Sequence, residues 1–125
     1  MSDAGPAPAP WRLVVTVNGG PVAEHDQRER LAGHQRRVLD SMDADMDGGI
    51  GLAGREIARP GPDDRARFVA MQLLLALDRG DHDLVTLACA WLAHRHPGIS
   101  EVRAVDDGEW VSLELVQDPG DGALR

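Results

Sequence analysis

Lysine and tyrosine are absent from this 125-residue chain, and cysteine occurs once. All 13 basic residues are therefore arginine. Without lysine there is no amine for a Schiff base and none to grip phosphates in a P-loop. The bias toward Ala, Gly, Arg and Asp is what a GC-rich genome tends to produce, so the missing lysine means little beyond those exclusions. Cys89 stands alone, which rules out an internal disulfide and a cysteine zinc cluster and fits a reducing compartment. Positive charge is also scarce. A net charge of −8 and a pI near 4.9 leave little with which to displace counterions from nucleic acid, so no nucleic-acid partner is expected. The same charge weakens attraction to anionic membranes. The longest apolar stretches, residues 68–77 and 84–93, have about half the length of a membrane span. The opening MSDAGPAPAP has neither a basic n-region nor an apolar h-region, so no signal peptide is expected, and a soluble cytoplasmic protein is the expectation.

What is present reads as a single α+β domain. Hydrophobic residues make up 42% and charged residues 27%, a balance suited to one globular core. Residues 1–10 alternate Pro and Ala and predict a disordered or polyproline-like tail. Residues 11–17 (WRLVVTV) predict a strand with Trp11, Leu13, Val15 and Val17 on one face. Asn18-Gly19-Gly20-Pro21 is a stop. From about Glu24 a charged segment reads as a long helix. Leu39, Met42, Met46, Ile50, Ala53 and Ile57 recur every three or four residues within an arc of roughly 80°. Gly48, Gly49, Gly51 and Gly54 interrupt that stripe and suggest a kink. An αα-hairpin follows, from Asp63 or Asp64 to about Asp78 and from Asp81 to about His96, with Gly80 at the turn. Residues 101–105 and 110–117 predict a β-hairpin around Asp107-Gly108. The first strand is expected to join it in a small antiparallel sheet, giving one domain over 11–117 and a flexible tail over 118–125.

Chemistry concentrates in DADMDGGIGLAG, which begins at Asp43. Asp43, Asp45, Asp47 and Gly48 occupy positions 1, 3, 5 and 6 of an EF-hand calcium loop, and Ile50 occupies position 8. Over this one loop the chain resembles the EF-hand family, which implies calcium held by Asp43, Asp45 and Asp47. It departs from the pattern at position 12, where Gly54 replaces the bidentate Glu. On a continuous helix Asp43 and Asp47 also sit beside Asp40, while Asp45 projects from the opposite edge of the apolar stripe. An acidic helix flank is therefore expected, with no calcium bound more tightly than about 10⁻⁴ M. Gly49, Gly51 and Gly54 also fit the G-x-G-x-x-G spacing of a dinucleotide-binding turn. A charged helical segment precedes them where a buried strand belongs, so no dinucleotide or other cofactor is expected.

The remaining candidates are ordinary. His94 and His96 lie two residues apart at a helix end and face different sides, a poor metal clamp. Cys89 sits in the apolar run LACAWL with no flanking base and reads as a buried structural thiol. No catalytic residue can be nominated. The helical hairpin, by contrast, carries more apolar surface than a short chain can be expected to cover, with Trp91, Trp110 and Val116 anticipated near the surface. Such excess predicts a protein partner, either a second copy in a two-fold homodimer or another protein. The leading expectation is a non-catalytic interaction or accessory protein. A small calcium-binding protein and an enzyme with a dispersed site are the alternatives.

Overall fold

A computed structural model describes residues 12–28, 30–52 and 54–117. Trp11, Ala53 and the two expected tails lie outside the described residues. The fold is α+β: the second and third helices pack against a four-stranded sheet, the first helix packs on the third, and a separate two-stranded hairpin lies between the first and second helices.

The chain enters through β1 (Arg12–Val17), whose Leu13 and Val15 are completely buried. Asn18 and Gly19 both take positive φ, +53° and +85°. That pair makes the tight turn whose twist suits an antiparallel hairpin, so the expected stop is a reversal into β2 (Gly20–Asp26). The charged segment expected to be helical from Glu24 is thus still strand at that point. β2 has poor intrinsic strand propensity, with Gly, Pro, Glu and Asp among its residues. Pairing along the whole of β1 overrides that weakness.

Helix α1 (Gly33–Asp47) follows, with Gln35 accepting from the Ala32 N–H at its start. Leu39 and Met46 are buried as the stripe predicts, and the helix then stops. Gly48 and Gly49 donate to the carbonyls of Asp45 and Met46, tightening the last turn. Gly49 takes φ +109°, so the helical stretch expected beyond the kink, through Ile57, does not form. Instead β3 (Ile50–Leu52) and β4 (Arg55–Ile57) pair antiparallel, with Ile50 directly opposite Ile57.

Helix α2 (Pro62–Arg79) begins one residue before the expected acidic caps. Pro62 fills the first helical position, where no N–H is needed, and Asp64 accepts from the Gly61 N–H. Gly80 at φ +73° ends it, and Asp81 accepts from the Leu84 N–H to start α3 (His82–Arg95). This is the αα-hairpin predicted from sequence. Residues 88–93 of α3 are all buried, because the sheet, α1 and α2 surround the helix. Trp91, expected near the surface, is 2% exposed.

Strands β5 (Ile99–Asp106) and β6 (Val111–Gln117) form the predicted C-terminal hairpin. The sheet order is β2-β1-β5-β6, and β1 runs parallel to β5, with Val15 beside Val102. The sheet is therefore mixed, a correction to the antiparallel expectation. Period-two alternation is the same for either direction, and only the return path of the helical layer decides it. The sheet's outer face mixes polar and apolar residues: Thr16 donates to Glu101 (2.7 Å), Arg103 bridges Glu101 and Glu114, and the half-exposed Val105 shares that side. No helix among the described residues is long and apolar enough to cross a membrane.

Candidate functional site

The acidic residues of α1 are held apart. Asp43 Oδ1 accepts from the indole Nε1 of Trp91 (2.7 Å), and its Oδ2 accepts from Arg95 Nε (2.9 Å). Arg95 also reaches Asp40 (3.0 Å). Asp47 pairs with Arg65 of α2 (2.7 Å), whose guanidinium further donates to the carbonyls of Asp43 and Pro60. Asp45 takes no part in this network and borders a crevice of about 180 Å³ between the helices, beside Met46 and Phe68. Thus Asp43 and Asp47 clamp α1 to α2 and α3, and the three aspartates do not converge. Among the described residues, no group of three or more His, Cys, Asp or Glu is placed to hold a metal ion. The arginine partners were not foreseen. The spacing Asp40, Asp43, Asp47 along one helix edge is the signal that could have pointed to them.

The glycines Gly49, Gly51 and Gly54 belong to the β3–β4 hairpin, with a helix before it and a strand within it. That is the reverse of the strand-turn-helix order a dinucleotide turn needs. His94 is exposed, and the His96 ring lies 5.4 Å from that of Trp91. Burial draws the His96 pKa down against the opposing charge of Asp63. The Cys89 thiol is 2% exposed, and burial pushes its pKa up to about 11. It stays a neutral thiol at ordinary pH, as the apolar run around it implies.

A second, wider concavity lies between the C-terminal half of α2 and the end of the sheet where β1 and β5 finish. It encloses about 560 Å³. Helix α2 supplies one wall through Met71, Leu74, Leu75, Leu77 and Asp78. Val17, Val22, Ala104, Asp106 and Val111 supply the other from all four strands. The small Ala104, 1% exposed, keeps the floor low. Five large hydrophobic residues are exposed among those described, and Val22 (47%), Leu75 (46%) and Val111 (47%) are three of them. A fourth, Trp110, is 73% exposed and directly precedes Val111 at the tip of the β5–β6 hairpin. The fifth, Val105 (49%), does not line this groove, so three of the five exposed large hydrophobic residues share it. Around α3 the apolar excess inferred from the sequence has been absorbed into the fold.

Chemically the groove is aliphatic with two acids. Among the described residues, no His, Cys or Ser lines it. Asp106 Oδ1 accepts from the Gly108 N–H, and neither Asp78 nor Asp106 is in an ion pair among the described residues. Comparison with protein-family models, curated proteins and solved structures finds no match for this chain.

Proposed function

We propose that this protein is a non-catalytic interaction or accessory protein whose working surface is the apolar groove between α2 and the sheet end. One observation carries the reading: half-exposed Val22, Leu75 and Val111 line a single concavity, with the exposed Trp110 beside it in the chain. Scattered apolar residues on a surface are ordinary, whereas their concentration in one concavity marks a place that another surface covers. The paired carboxylates of α1 support the same division of labour. Arg65 and Arg95 tie them into the helical layer, leaving the groove as the feature without an internal use.

The test compares wild type with a Leu75→Asp/Val111→Asp double variant. Sedimentation at tens of micromolar reports self-association, and cross-linking in native extract reports other partners. Association that the double variant loses supports the reading. Association that survives the substitutions intact, or none by either measurement, overturns it.

A further inference from the structure

Resting on that reading, we infer that the groove receives a basic amphipathic segment of a different protein. The segment's apolar side chains lie against Leu74, Leu75 and Val111, and its Arg or Lys residues meet Asp78 and Asp106. Charge complementarity carries the inference. One carboxylate comes from the helix wall and the other from the sheet wall, so a ligand crossing the groove meets an acid from each side. Among the described residues neither acid is in an ion pair: the nearest basic residue in sequence to Asp78, Arg79, pairs instead with Asp81 at 3.9 Å. Covering the groove with an apolar or acidic surface would strip water from these carboxylates without replacing it. A cation beside each offsets that cost.

The same argument weighs against a second copy. Each chain carries a net charge of −8, and a two-fold contact through this groove brings together four carboxylates that have no ion-pair partner among the described residues. A small molecule fits less well too. Tight small-molecule sites enclose most of their ligand, whereas Leu75, Val22 and Val111 remain about half exposed on the groove wall. A partner helix laid in an open apolar groove matches that shape.

The experiment is titration with a synthetic amphipathic helix of leucine and lysine, about four turns long. The matched peptide with glutamate for every lysine is the comparison. Binding is expected for the lysine peptide, with affinity falling as salt rises, and at least about tenfold weaker binding for the glutamate peptide. Asp78→Asn/Asp106→Asn is expected to weaken the lysine peptide about tenfold at low salt. The Asn at position 106 keeps an oxygen for the Gly108 N–H. Asp45→Asn/Glu56→Gln removes the same charge away from the groove and is expected to change affinity less than about twofold.

Leu75→Asp separates docking from general attraction. It adds a negative charge, so a purely electrostatic encounter tightens, whereas groove docking weakens. Tighter binding by Leu75→Asp, or equal losses in the two charge-matched double variants, overturns the inference. Equal binding of both peptides overturns the charge argument and leaves the interaction reading standing. So does a wild-type dimer that Leu75→Asp dissociates, since the occupant is then a second copy. Failure of both peptides to bind, with no groove-dependent association of any kind, removes the inference and the reading together.

Discussion

Asp43 accepts from the indole of a tryptophan that is 2% exposed and from an arginine that also holds Asp40. Removing the carboxylate strands a buried N–H donor, which costs more than the bond itself contributes. Asp43→Ala is expected to lower unfolding stability by about 2 kcal/mol. Asp43→Asn, which keeps an oxygen for Trp91 Nε1, loses less than half as much, and urea unfolding of both variants measures the difference. Cys89 gives a second prediction, made clean by composition. With no lysine or tyrosine in the chain, it is the only side chain expected to titrate between pH 9 and 11. Below pH 9.0 the thiol is neutral in folded and unfolded chains alike. Between 9.0 and about 11 only the unfolded chain ionises, so stability falls across that window as pH rises. The urea midpoint should decline there in wild type and stay flat in Cys89→Ala, whatever the variant's absolute stability.

Among the elements, the end of α1 shows why one apolar pattern admits two structures. Leu39, Met42 and Met46 lie on the helix, whereas Ile50 and Ile57 face each other across a short hairpin. Seven residues is two helical turns, and it is also the separation of paired residues in a hairpin of this length. Periodicity therefore could not separate the readings, and the glycines decided it. Gly49 sits at φ +109°, and a Cβ there would lie 3.2 Å from the Ile57 carbonyl oxygen. Gly49→Ala is expected to cost about 2 kcal/mol or more, since positive φ and a close backbone contact both oppose it. In a continuous helix the same change would stabilise by about 1 kcal/mol. Gly51 has open space around its Cβ position and no positive φ, so Gly51→Ala should fall within about 0.5 kcal/mol of wild type. Thermal unfolding of the two variants reads both the sign and the contrast. The αα-hairpin and the C-terminal β-hairpin were legible for the opposite reason, because capping residues and turn glycines there agree with the apolar pattern.

For the whole molecule, the sequence revealed apolar excess but not its location, because location depends on which elements end up as neighbours. The parallel pairing of β1 with β5 sets the strand order, and α3 becomes enclosed on almost every side. Helix α2 is left with one face over the sheet and its C-terminal half bordering the groove. Two leucines two residues apart on α2 therefore have different work. Leu73 is completely buried and belongs to the core, while Leu75 is 46% exposed and lines the groove. Leu73→Ala should cost about 2–5 kcal/mol through lost burial and the cavity left behind. Leu75→Asp should cost less than about 1 kcal/mol, because its side chain gives up little packing and the new charge reaches water. Urea unfolding of both variants provides the check. If Leu75→Asp destabilises as much as Leu73→Ala, the groove residue is holding the fold together, and its exposure is no sign of a partner. If Leu75→Asp folds like wild type yet loses association, the apolar character of that wall is maintained for binding, since folding makes little use of it.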